Sequence, residues 1–215
     1  MKLFKPRKIY LPTWQGWILM SLILAGFVAI FFLNAHRFLA VTSRAADADI
    51  LVVEDWVANK DVFLRATVKE FKEGHYRYLF ISGTREFDDK NNKLHDIRKS
   101  PAFNRMVSSG VPKDRIIEFF TPTTESHRSA TMARGVRNAL QQSDIRPKGV
   151  NVIAPATHAR KTWLVHRRAL SGIPVGIIAV LPGVYDPARW WLNSQSAKWV
   201  LTNYAGLFYE WVTGS

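Results

Sequence analysis

The chain has 215 residues, 47% of them hydrophobic, which is room for one domain of ordinary size and an appendage. It has no cysteine, which excludes disulfide staples, thiolate zinc sites and cysteine nucleophiles while leaving the compartment open. A net charge of +13 favours an anionic partner, and nucleic acid is the weakest of these: no zinc-finger spacing, aromatic RNA-binding motif or basic zipper is present.

Residues 1–13 form a basic tail carrying Lys2, Lys5, Arg7 and Lys8. The run Trp17 to Leu33 holds no charge, and residues 14–41 read as one transmembrane helix with Trp14 and Trp17 suited to the headgroup boundary. The positive flank before the helix predicts a single-pass protein of the inner, cytoplasmic membrane, with its amino terminus inside and the bulk of the chain periplasmic or extracytoplasmic. A cleaved signal peptide is disfavoured, because the apolar run exceeds a signal core and the small-residue site Ser43 to Ala48 lies well beyond it.

After a linker over 42–47, residues 48–215 alternate short β-branched runs with amphipathic segments, the pattern of βαβ units around a parallel sheet. Strands are predicted at Ile50–Trp56, Tyr78–Thr84, Arg115–Phe120, from Val150, and at Pro174–Leu181. Between them, helices begin at about Asp61, at Ser100-Pro101, ahead of the stripe Met132, Val136 and Leu140, and after Thr157. The expected fold is α/β, a Rossmann-like three-layer sandwich with a mainly parallel five-stranded sheet, preceded by one amino-terminal transmembrane helix. The polar stretch Arg85 to Lys99 reads as a lid, a binding loop or a solvated insertion. A terminal segment with Trp199, Tyr204, Phe208 and Trp211 reads as a helix packing on the domain rather than lying on a membrane.

In such a sheet the turns after the strands open on one edge, where ligands bind. Here they bring Glu54, Asp55, Ser82, Gly83, Thr84, Thr124, His127, Arg128, His158, Arg160 and Lys161 to that edge. One reading is an anion site, in which Ser82-Gly83-Thr84 and the helix starts after Thr124 and Thr157 offer free amides, with Arg128, Arg160 and Lys161 adding charge. The other is acid–base chemistry by Glu54 or Asp55 with His158 or His127. His75, His95 and His166 read as surface or helix-face residues, Arg167 and Arg168 as a solvated face, and Trp190-Trp191 as packing. No dinucleotide fingerprint, P-loop or Gly-x-Ser-x-Gly elbow occurs and no metal spacing is evident, so neither a cofactor nor a metal is expected.

The segments Ala48 to Val57, Ile81-Ser-Gly-Thr84, Gly110-Val-Pro112 leading to Ile116-Ile-Glu118, Ala156 to Thr162, and Tyr185-Asp-Pro-Ala-Arg-Trp-Trp191 together resemble the YdcF/SanA/ElyC-like family of bacterial envelope proteins. That resemblance implies a Rossmann-like domain behind a membrane anchor, engaged with cell-wall or surface-glycan precursors on lipid carriers, and it singles out Glu54, His158 and Arg160. Two turns depart from the family pattern, Ser82-Gly83-Thr84 followed by Arg85-Glu86, and Thr123 to His127. The expected function is binding of an anionic, phosphorylated envelope precursor or lipid-linked glycan, with hydrolase or transferase chemistry in which the catalytic residues are His158, as acid or base, and Glu54, orienting substrate, while Arg160 and Lys161 hold charge. The alternatives are a non-catalytic scaffold of an envelope-assembly complex and, third, a cytoplasmic nucleotide or methyl-donor binder.

Overall fold

In a computed structural model of the chain, the described residues are 11–85, 87–88, 93–94, 100–122, 124 and 127–214. Two compact units divide between Ala35 and His36. The first holds most of helix α1 (Trp14–Leu39), whose large apolar side chains are exposed from Trp14 to Leu33, while Ala35 and Leu39 are buried. At 1.5 Å per residue its 26 residues extend about 39 Å, and it alone among the described residues is long and apolar enough to cross a membrane.

The second unit contains β1 (Ile50–Glu54), α2 (Asp55–Ala58), α3 (Asp61–Glu73), β2 (Tyr78–Arg85), the small hairpin β3 (Phe87–Asp88) and β4 (Lys93–Leu94), α4 (Pro101–Ser108), β5 (Ile116–Pro122), α5 (Arg128–Gln142), β6 (Val150–Pro155), α6 (Ala159–Ala169), β7 (Val175–Val180) and α7 (Ser194–Thr213). Five strands form one all-parallel sheet in the order β5-β2-β1-β6-β7. The alternation of a strand explains the three layers. Leu51 and Val53 of β1 join Phe63, Phe71 and Met106 on the α3–α4 side, while Ile50 and Val52 join Val136, Leu140 and Ala159 on the α5–α6 side. Ser100 caps α4 as its sequence predicts, its hydroxyl accepting the Phe103 amide at 3.2 Å ahead of Pro101 at N1.

Three boundaries differ from the sequence reading. The first strand stops at Glu54, because Asp55 and Trp56 turn into the short helix α2. Residues 42–47, read as a linker, are stitched to the domain: Ser43 bridges Ile177 of β7, and the Ala45 amide donates to Asn151 Oδ1 at 2.9 Å. Arg44 adds a bidentate pair with Glu70, whose carboxylate also accepts from Tyr76. Burial pushes the Tyr76 phenol up to about 12. The third difference is the terminal helix. It forms, but Phe208 and Trp211 are 65% and 66% exposed instead of packed. The amino-terminal tail up to residue 10 and most of the polar excursion 85–99 lie outside the described residues.

The stitch depends on a side-chain-free position. A Cβ at Gly176 would fall 2.0 Å from Asn151 Oδ1 and 2.4 Å from the Ala45 amide nitrogen. Gly176→Ala should therefore cost about 1–3 kcal/mol by overpacking, and limited proteolysis of the full chain should show new cleavage within 40–47.

Candidate functional site

The strand order places the site. From β1 the chain builds outward through β2 and β5, then returns to the other side of β1 to add β6 and β7. The helices after β1 and β6 consequently diverge to opposite faces, leaving a crevice outside the carboxyl ends of those two strands. Glu54 ends β1, and β6 runs through Pro155 into a single 3₁₀ turn, Ala156–His158, that starts α6.

Glu54 is buried, and its Oε2 accepts the indole N–H of Trp56. The Trp56 ring stands edge-on to His158, centroids 6.4 Å apart. His158 in turn bonds through Nδ1 to Asn203 Oδ1 at 2.7 Å. The Asn203 amide nitrogen donates to the Trp199 carbonyl at 2.8 Å and to Thr157 Oγ1 at 3.3 Å, which fixes the side chain with its oxygen toward the histidine. Because that oxygen only accepts, Nδ1 of His158 carries the hydrogen and Nε2 keeps the lone pair when the ring is neutral. Burial, and secondarily the charge of Lys161, lower the His158 pKa below its ordinary value against the opposing pull of Glu54. The result is a neutral, oriented imidazole at neutral pH.

Lys161, on the next turn of α6, is also lowered by burial, with Glu210 and Glu54 acting the other way. Its stem lies against Gly206 of α7, 3.4 Å from a Cβ built there. Around it a basin of about 360 Å³ is lined by His127, Arg128, Tyr209 and Glu210. His127 occupies the left-handed backbone region (φ 53°) before α5 and makes no side-chain cap, so it leaves the first amides of this 15-residue helix to other partners. Its Nε2 meets the Tyr209 hydroxyl at 3.0 Å, and its Nδ1 lies 3.7 Å from Glu210 Oε2. A neighbouring cavity of about 310 Å³ has walls of Trp56, Lys60, His158, Tyr185, Trp199 and Asn203. Tyr185 reaches His36 Nε2 at 2.8 Å, and burial pushes its phenol up to about 12.

Of the residues expected at the edge, the structure brings Glu54, His158, Lys161 and Arg128 into one electrostatic cluster, with His127 alongside. Arg160 is directed elsewhere: its Nε donates to the Phe38 carbonyl and its guanidinium lies over the Phe38 ring, 4.1 Å from the centroid. The two adjacent cations thus line different concavities, Arg160 the groove along α7 and Lys161 the basin beside His127. Ser82 is buried with its hydroxyl on Met132 Sδ at 3.7 Å, and Ser82, Gly83 and Thr84 continue β2 beside Phe119, Phe120 and Thr121. Their backbone belongs to a strand and forms no open anion-binding turn, contrary to expectation. The Thr84 side chain, like Thr123, Glu125 and Ser126, lies outside the described residues. Asp55 heads α2 and accepts from Asn59 at 3.3 Å. Thr124 is half-exposed between β5 and α5.

The sequence reading expects the terminal helix α7 but misses what it brings to the site, Asn203, Gly206 and Glu210 at i, i+3 and i+7. That spacing, polar and small on one side of an aromatic-rich helix, was the available signal. It also misplaces His166, which is 1% exposed and bonded to the Thr162 carbonyl. Trp190 is core, as expected. Among the described residues no cluster of His, Asp and Glu is arranged to hold a metal ion. No protein-family model matches the sequence, and no curated protein matches it.

His158 and His166 both have pKa values lowered by burial. The unfolded chain therefore binds their protons first, near pH 6.5, and the folded chain later. Their contribution to stability is complete above about pH 6.5 and is lost as pH falls below it. The melting temperature should be flat from pH 8 to 7 and drop toward pH 5.5, with a shallower drop in His158→Asn/His166→Phe. An identical pH profile in that variant would contradict the assignment.

Proposed function

We propose that this chain is a membrane-anchored envelope protein of the YdcF/SanA/ElyC-like type. Its α/β domain lies on the extracytoplasmic side, and its β1/β6 crevice takes a phosphorylated cell-wall or surface-glycan precursor, free or lipid-linked. The observation that carries this reading is His158: a neutral imidazole, its tautomer set by Asn203, beside the cations Lys161 and Arg128 at the switch point of a parallel sheet. The aromatic walls formed by Trp56, Tyr185 and Trp199 suit the face of a sugar. The short apolar-flanked motifs from Ala48 to Trp191 and the helix α1 supply the family and anchor parts of the reading.

In a hydrolase or transferase step, Nε2 of His158 takes the proton of the attacking water or hydroxyl, whose oxygen bonds to phosphorus as the bond to the leaving oxygen breaks, and the imidazolium then returns that proton to the leaving oxygen. Lys161 and Arg128 hold the phosphoryl oxygens, and Glu54 with Trp56 positions the imidazole's surroundings. A non-catalytic docking module is the second reading, favoured by one observation: Glu54 is buried and already bonded to Trp56, as a structural carboxylate would be.

Calorimetry on the full-length protein with a sugar 1-phosphate and a polyprenyl phosphate tests binding. Lys161→Gln should weaken the ligand by about 10–100-fold, the worth of a hydrogen bond to a charged group. His158→Gln should slow any phosphate release by about 10²–10⁴. Tight binding without turnover in the wild type would select the docking module, and unaltered function of both Glu54→Ala and His158→Ala in an envelope-stress complementation assay would remove the site.

A further inference from the structure

Apart from the crevice, a groove of about 760 Å³ runs along α6 and α7, within the roughly 300–1,000 Å³ usual for ligand sites. Its floor is Trp163, Leu164, Tyr204, Leu207, Phe208 and Trp211, with Phe38 stacked on Tyr204 at one end, centroids 5.6 Å apart. Three guanidiniums rim it, those of Arg160, Arg167 and Arg168, and no acidic side chain lines it. Each arginine is braced on a neighbour: Arg160 on the carbonyl and ring of Phe38, Arg167 over Trp163 at 5.2 Å, and Arg168 on the Glu210 carbonyl at 2.6 Å. A guanidinium has five N–H donors, so this bracing orients the group and leaves donors for a ligand.

From these residues we infer that the α6–α7 groove seats an anionic glycerophospholipid, its phosphate among Arg160, Arg167 and Arg168 and an acyl chain along Leu207, Phe208 and Trp211. The inference rests on the proposal that α1 is a membrane anchor. Charge complementarity and position both argue for it. The uncharged run of α1 ends at Leu33, and Phe38 follows five residues later in the chain, so a bilayer-spanning α1 tethers this end of the groove to the membrane surface. Exposed Phe208, Trp211 and Val212, at 65%, 66% and 60%, are what a soluble face avoids and an interfacial face requires. The groove is separate from the crevice, which is why Arg160 and Lys161, adjacent in sequence, take different anions.

The test is hydrogen exchange of 201–213 in the full-length chain, reconstituted in nanodiscs of phosphatidylcholine alone or with added phosphatidylglycerol. Protection should increase with phosphatidylglycerol. The lipid concentration needed should rise about fivefold in Arg167→Gln, the usual worth of one arginine near an anionic surface. Phe208→Ala/Trp211→Ala should lose the protection while remaining folded by circular dichroism. Equal protection in both lipids, or protection traced by cross-linking to a second copy or another protein, overturns the proposal. Absence of protection in chains that have entered the nanodisc overturns it while leaving the anchor standing. Failure to enter at all removes the anchor and this inference together.

Discussion

A parallel sheet that builds outward from β1 in one direction and then in the other has to leave a cleft where the two directions separate. Nearly everything about the candidate site follows from that reversal between β1 and β6. It brings the end of one strand, with Glu54, beside the end of another, with Thr157 and His158, although a hundred residues of chain separate them. One side of the cleft is closed by α7 with Asn203, Gly206 and Glu210.

The chemistry of the cleft is set by desolvation more than by charge pairing. His158 and Lys161 both lose affinity for their protons mainly because they are enclosed, and each has a buried carboxylate acting against that loss. A half-buried cation beside a neutral imidazole suits the anionic ligand proposed above, whose charge would restore what burial removed. In the groove along α7, Arg160, Arg167 and Arg168 face aromatic and aliphatic surface, with no carboxylate among its described lining residues.

The legible part of the fold was what depends on local pattern. Both-face burial of a central strand reads as a continuous apolar run, as in Ile50 to Val53, and a cap followed by proline reads as a helix start, as at Ser100. The site was legible as far as strand ends reveal it, which is how Glu54, His158 and Lys161 were found. Arg160 was misassigned because a turn motif does not say that successive helical residues point apart, and here Phe38 captures it. The expected turn at Ser82-Gly83-Thr84 failed because β5 extends through Pro122 and keeps β2 paired to Arg85. Asn203 was illegible for a different reason: it acts on a residue 45 positions away, and nothing in the composition of an aromatic-rich helix says what it will cover.

The proposed chemistry turns on the state of one ring, and histidine ring nitrogens report it directly. In ¹⁵N-histidine-labelled full-length protein at neutral pH, with His158→Gln for assignment, His158 should show a protonated Nδ1 and an unprotonated Nε2, and Nε2 should shift when a sugar 1-phosphate is added. A charged imidazolium, the Nε2–H tautomer, or a ring indifferent to the phosphate ester would contradict the site as described.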